Sequence, residues 1–331
     1  MNKALFAVLA WLLCNEVVLA QFPGGPAAAQ RDASASEFII LGTASGPVSE
    51  ATRAQPSNVL LAGGNVFLVD AGDGAVAQLA KAGISLARVN GVFLSHLHFD
   101  HTAGMLAVIG LRMQLENQAP LTIFGPAGTR EFIQGLLAAA APAMRAGYGI
   151  PGQSWQANVE VIELFDGDTT DVGPMHVRVV ENSHFSMPEG SDEARPASSL
   201  SYRFDLPDRS IVYTGDTGPS AAVAMLADNV DLLVSEMIDI DTVLSFMRPP
   251  GSPAPGAVDA QTLTGFPWHM YSHHMTPVQV GELAAMANVA RLVVTHFAPN
   301  PQSPEQAQQF LDAIAENYSG NAELGSDLGR Y

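Results

Sequence analysis

The chain has 331 residues, enough for one large domain or two small ones, and 47% of them are hydrophobic, which suffices for a full core. Its formal net charge is −18, from 33 acidic against 15 basic residues, and Lys3 and Lys81 are its two lysines. This balance argues against nucleic acid as a partner, since such binding rests on Lys and Arg neutralising phosphates. A small anionic substrate stays open, because a bound metal would dominate the local charge.

The N-terminus has the layout of an export signal. Lys3 supplies the positive start, Ala4 to Cys14 the apolar stretch, and Val18-Leu19-Ala20 a small-residue cleavage site. The apolar run is too short for a membrane anchor, and Leu13 before Cys14 is too large for a lipoprotein signal. Cleavage after Ala20 would remove Cys14, the one cysteine, so the mature chain could use neither disulfides nor a thiol ligand. Residues 1–20 are therefore read as a signal peptide, and residues 21–37, rich in Pro, Gly, Ala and Ser, as a flexible leader. Residues 38–331 form one domain, destined for the bacterial periplasm or the exterior.

Along that domain, Phe38 to Gly42 is expected to be a strand, and Asn58 to Ala62 and Asn65 to Asp70 a hairpin turning on Gly63-Gly64. Ala75 to Ala82 follows as a helix, Val92 to Ser95 as a buried strand, Thr102 to Leu115 as a helix and Leu121 to Phe124 as a strand. A helix from Thr129 to Met144 should stop near Gly147 and Gly149, and strands are expected at Val159 to Phe165, Met175 to Glu181, Ser199 to Asp205 and Ser210 to Thr214. Two more buried strands lie at Asp231 to Val234 and Arg291 to Thr295. Between them Thr276 caps a helix to about Ala287, with Pro277 at its first position and Gln279 closing a capping box. A last helix runs from about Pro304 to Glu316. Two stretches break the rhythm: Arg145 to Gln156, and Ile240 to Ser272 with Phe246, Met247, Phe266, Trp268 and Tyr271 among prolines. They read as irregular loops, either substrate-contacting lids or packing over the core. The alternation of strands and helices makes one layered α/β domain.

The chemistry concentrates at strand ends. His96-Leu97-His98-Phe99-Asp100-His101 follows the apolar Val92-Phe93-Leu94 and places three of the nine histidines within six residues. Imidazole and carboxylate are ligands that zinc accepts. On extended backbone His96 and His98 share a side, while Asp100 and His101 in the following turn could face a second metal. His184, Asp216 and His296 each follow an apolar strand as well. Singly, each could be a hydrogen-bonded structural residue or a turn cap; together they supply what a two-metal site lacks.

This set, in this order, resembles the metallo-β-lactamase superfamily. The resemblance runs from about Phe38 to the C-terminus and implies a four-layer αββα sandwich. It implies that His96, His98 and His184 hold one zinc, that Asp100, His101 and His296 hold a second, and that Asp216 bridges them. Leu41-Gly42-Thr43-Ala44-Ser45-Gly46, Arg53, Val69-Asp70-Ala71-Gly72 and Gly125-Pro126-Ala127-Gly128-Thr129 are similar to segments of the ribonuclease Z and arylsulfatase-like branch. Ser235-Glu236 resembles that branch's His-Glu-Ala-Thr motif with Ser in place of His, and His274-Met275-Thr276-Pro277 its His-Ser-Thr-Ala motif. By that likeness Asp100, Glu236 and His274 are catalytic, His274 serving the leaving group or oxyanion and Glu236 orienting it, with His273 a rival to His274. His176 and His269 are left without a role.

The basic arm by which ribonuclease Z holds transfer RNA is not recognisable, and Arg145 to Gln156 carries a single Arg. The expectation is therefore an exported dinuclear zinc hydrolase of a small ester, a phosphodiester or aryl sulfate, working by attack of a metal-bound hydroxide. A β-lactamase or lactonase is the alternative, and a non-catalytic metal- or ligand-binding protein a more distant one. Manganese or iron could replace zinc on these ligands, and a homo-oligomer is allowed.

Overall fold

Gly63 and Gly64, with φ of 55° and 81°, form a tight turn, a conformation that favours glycine at both positions. The turn joins β2 (Ser57–Ala62) to β3 (Asn65–Ala71), and β1 (Glu37–Gly42) pairs antiparallel with β2 on the other side. The computed structural model describes residues 35–115, 119–187, 197–246 and 264–331. Residues 1–20, expected as a signal peptide, all but the end of the 21–37 stretch expected as a leader, and Met247 lie outside these residues.

From β3 onward the first sheet grows by parallel addition of β4 (Val89–Phe93), β5 (Leu121–Gly125) and β6 (Val159–Glu163), in that order. Parallel neighbours need crossovers. These run through α1 (Ala75–Lys81), then α2 (Phe99–Thr102) and α3 (Met105–Gln114), then α4 (Thr129–Ala146). The second sheet begins with β7 (Thr169–Val172), β8 (Met175–Glu181), β9 (Leu200–Asp205) and β10 (Ser210–Tyr213), each antiparallel to the one before. After α5 (Ala221–Leu226) it continues in parallel with β11 (Leu232–Ile238), β12 (Arg291–Ala298) and β13 (Asn321–Leu324).

The strand pattern dictates the layering. Alternate side chains of the first sheet, among them Phe38, Phe67, Phe93 and Phe124, form one core with Val177, Tyr202, Phe204 and Tyr213 of the second. Phe93 stacks on Phe124 with ring centres 4.6 Å apart and meets Phe204 edge-on at 5.2 Å. The outer face of the first sheet, with Leu68, Val92 and Ile123, is covered by Leu79, Val108 and Ile133 from α1, α3 and α4. The outer face of the second, with Val212, Leu233 and Val294, is covered by Val223, Val280 and Ile314. Both faces of both sheets are apolar, so helices must close the outside, and the four-layer αββα sandwich expected from the sequence results.

The stretch from Ile240 to Ser272 departs from expectation. Instead of an irregular loop it holds α6 (Ile240–Phe246) and α7 (Gly265–His273), with the residues between them outside those described. The segment is rich in proline, yet Pro267 sits in the first turn of α7, where a missing N–H costs nothing. Ile240 and Met270 bury against Ile238, which fixes both helices beside the end of β11. The helix after them, α8 (Pro277–Met286), starts on the expected capping box, Thr276 with Gln279, and α9 (Pro304–Ala315) follows β12. Among the described residues, no helix is long and apolar enough to cross a membrane.

Candidate metal centre

Two residues leave the strand register by one place. Asp70 is an extra residue in β3, between the pairs Ser57–Ala71 and Asn58–Val69, and His296 is an extra residue in β12, between the pairs Glu236–Thr295 and Met237–Phe297. Both have left-handed backbone, with φ of 57° and 56°, which non-glycine residues rarely adopt. A bulge of this kind breaks the alternation of side chains and re-aims one of them. Both turn toward the same end of the sandwich, where β4, β8 and β10 also deliver their polar residues.

Asp70 is fully buried and accepts four hydrogen bonds. The backbone N–H and hydroxyl of Ser95 each donate at 2.7 Å, and the Tyr213 hydroxyl and His101 Nδ1 each donate at 2.8 Å. One carboxylate thus ties β3, the histidine cluster and the second sheet together. It also fixes His101 with the proton on Nδ1 and leaves Nε2 bare.

The remaining imidazoles are oriented in the same way. The Ser95 hydroxyl gives its proton to Asp70, so it accepts from His96 Nδ1 at 3.1 Å. His184 Nδ1 donates to the carbonyl of His273 at 3.1 Å. Each therefore presents an unprotonated Nε2, and both point at Nδ1 of His98, from 3.0 and 3.1 Å. Three nitrogens face one another and can share one proton at most. Burial holds the pKa of His96 and His184 well below the ordinary histidine value, which agrees with bare nitrogens.

Beside this trio lies a second group. His101 Nε2 and His296 Nε2 each sit 3.2 Å from Asp216 Oδ1, and 3.7 and 3.5 Å from Asp100 Oδ2. Asp216 Oδ2 is 3.8 Å from His96 Nε2, so this one carboxylate touches both groups. Asp100 is steadied by the Gly46 N–H at 2.8 Å. His101 Nε2, Asp216 Oδ1 and both ring nitrogens of His296 are buried without a hydrogen-bond partner. Burial would lower the pKa of His101 and His296, but Asp216 first and then Asp100 pull both up, His101 well above its usual value. A pocket that draws protons onto buried imidazoles is short of positive charge. Convergent bare nitrogens, orphaned buried atoms and surplus carboxylate together fit bound metal ions.

The sets whose donor atoms lie within 4.8 Å of one another are His96, His98, His184 and Asp216; Asp100, His101 and His296; and Asp216, Glu236 and His296. All seven residues expected as ligands are brought together. Glu236 comes close as well, with Oε2 3.9 Å from His296 Nδ1 and 2.8 Å from His274 Nδ1. The backbone N–H of Thr217 holds its other oxygen. Burial, then the charge of Asp216, pushes the Glu236 carboxyl well up, while burial pushes His274 down. Of the neighbouring histidines, His274 pairs with Glu236, whereas His273 turns away to His269 and the carbonyl of Ser186.

Sequence reasoning gave no role to Asp70, Ser95 or Tyr213. A carboxylate closing the apolar strand Val66-Phe67-Leu68-Val69 was the signal for Asp70; Tyr213, inside an apolar run, carried none. His176, left unassigned, is half exposed and bonds Asp171 across the β7–β8 hairpin, far from this chemistry.

A profile of the beta-lactamase superfamily domain matches residues 65–297. A protein named ribonuclease Z from Mycobacterium sp. (strain KMS) is 34% identical over 300 residues, covering 89% of this chain and 95% of the relative. Among solved structures, the metallo-β-lactamase fold protein YhfI from Bacillus subtilis superposes with a TM-score of 0.65 at 17% identity, over 89% of this chain and 98% of that one. The short form of human tRNase Z superposes with a TM-score of 0.61 at 21% identity, over the same shares. The chain belongs to the metallo-β-lactamase superfamily, in its ribonuclease Z branch, and is a metal-dependent hydrolase. The name of the 34% identical relative overturns the expectation that nucleic acid is not a partner and that the substrate is a small ester. That expectation rested on the net charge of the whole chain, which says little about a site where buried metal sets the potential.

Asp70→Ala should leave the four donors on Asp70 unpaired in a dry interior, at a cost of about 3–5 kcal/mol. Denaturant unfolding of the variant should show that loss. An unfolding midpoint equal to that of the unaltered protein would show that these contacts do not hold the two sheets together.

Proposed function

We propose that this chain is an exported dinuclear zinc phosphodiesterase that cleaves RNA. The observation that carries the reading is Asp216 standing between two histidine groups, with the Glu236–His274 pair alongside. In this reading His96, His98 and His184 hold one zinc, Asp100, His101 and His296 hold the other, and Asp216 is shared. Imidazole-rich, oxygen-completed donor sets suit zinc. When bound, the two ions supply Lewis-acid charge and a water acidified enough to react near neutral pH.

The chain's own groups do the rest. Glu236 holds Nδ1 of His274 at 2.8 Å, so Nε2 is the nitrogen that meets substrate. With the pair neutral, Glu236 donates its proton to Nδ1 and His274 carries its own on Nε2; His274 gives that proton to the departing oxygen of the ester while Glu236 passes its proton to Nδ1 and keeps the ring in place. Asp70, by fixing His101, and Ser95, by fixing His96, hold the proton pattern that leaves nitrogens free for metal. RNA as the substrate rests on the 34% identical ribonuclease Z relative and on a centre able to neutralise a phosphodiester in an otherwise acidic chain.

His274→Ala is expected to keep its metal while kcat on RNA falls about 10²–10⁴-fold, the usual share of acid–base catalysis. The loss should shrink on bis(nitrophenyl) phosphate, whose leaving group needs no proton, and Glu236→Gln should lose less in the same direction. Metal loss in His274→Ala would make it a ligand. A purified, metal-loaded chain that opens lactams or lactones but leaves RNA and phosphodiesters intact would refute the substrate class.

Export is part of the proposal and rests on the layout around Lys3, Ala4 to Cys14 and Ala20. Mass spectrometry of the mature protein should find Gln21 at the N-terminus. An intact Met1 or a lipid on Cys14 would overturn it.

A further inference from the structure

His269 and His273 lie one turn apart on α7, and their Nδ1 atoms are 2.7 Å from each other. His273 Nε2 lies 2.8 Å from the carbonyl oxygen of Ser186. A carbonyl can only accept, so this Nε2 carries a proton and His273 Nδ1 is the acceptor. The proton between the two rings therefore belongs to Nδ1 of His269. That proton is the one a neutral imidazole carries. Its lone pair is left on Nε2. The ring is partly buried beside the metal centre, with its centre 5.6 Å from that of His184 and 5.2 Å from that of His274.

An acceptor at this place is unsuited to the reacting group. A phosphodiester near neutral pH offers oxygen acceptors alone, and its developing charge calls for metal and proton donors. The ligand of a bare imidazole nitrogen must bring a donor. Next to the cleaved phosphate of an RNA strand, the sugar hydroxyl is that donor, and it is the group by which a protein tells RNA from DNA.

We propose that His269 Nε2 accepts a hydrogen bond from a ribose 2′-hydroxyl beside the cleaved phosphate, and that His273, anchored on the Ser186 carbonyl, sets the tautomer that makes this acceptance available. His269 is then a substrate-binding residue and His273 a positioning residue. The inference rests on the phosphodiesterase reading and adds to it the means of selecting ribose.

The test uses the full metal-loaded protein and two short oligonucleotides identical but for 2′-deoxy sugars flanking the cleaved phosphate. The unaltered enzyme should favour the ribose strand by about tenfold or more, since a lost bond leaves a polar group unpaired. His269→Phe should bring that ratio to within about twofold, mainly through KM of the ribose strand. His273→Leu should do the same, and His273→Gln, which keeps a side-chain acceptor for His269, should restore part of the ratio. Nitrogen-resolved NMR of the imidazoles supplies a readout free of activity: the proton should sit on Nδ1 of His269 and on Nε2 of His273. A proton on Nε2 of His269, or a ribose preference unchanged in His269→Phe, overturns the inference. Equal cleavage of both strands by the unaltered enzyme also overturns it while the phosphodiesterase reading stands. Failure to cleave either strand removes the phosphodiesterase reading and this inference with it.

Discussion

The centre depends on two strands that step out of register. In regular pairing, the side chains at 70 and 296 would follow the alternation of their neighbours and point into a sheet face. One extra residue in β3 and one in β12 turn Asp70 and His296 to the end of the sandwich instead. Each is held in left-handed backbone, a conformation that costs a non-glycine residue on the order of 1–3 kcal/mol. Asp70 offsets that with four buried hydrogen bonds spanning both sheets. For His296, whose two ring nitrogens are buried without hydrogen-bond partners, a bound cation is the compensation that the surrounding donors fit.

From that frame the electrostatics follow. Three nitrogens of His96, His98 and His184 face each other with room for one proton, and the carboxylates of Asp100 and Asp216 raise the proton affinity of His101 and His296. Both halves are unfavourable as isolated groups, because lone pairs and charges are crowded in a dry place. Both are relieved by the same thing, positive charge near Asp216. This is why the chain's formal charge of −18 was a poor guide to its partner. The sum over the surface weighs against polyanions, but the residues around Asp216 are built to gather cations.

The seven ligand candidates could be read from the chain because each lies in or soon after an apolar strand run, and such runs in one sheet core bring their ends together. The layers followed from runs such as Val92-Phe93-Leu94 and Leu292-Val293-Val294, too apolar to face water on either side. What could not be read were the bulges, since a single register slip leaves no trace in periodicity, and with them the role of Asp70. Helices α6 and α7 were hidden by Pro267 and by the proline-rich sequence between them, and so was the placement of His269 and His273. The choice between His273 and His274 turned on which ring reached Glu236, a fact of the fold and not of the adjacent residues.

The central claim is that the two histidine groups are two halves of one metal centre joined by Asp216. Elemental analysis of the purified protein, read against activity while metal is added back to a stripped sample, tests it most directly. The account predicts about two metal ions per chain at full activity, and loss of metal and activity together in Asp216→Ala. Full activity with one metal ion or none per chain, or an Asp216→Ala protein that keeps both ions, would contradict it.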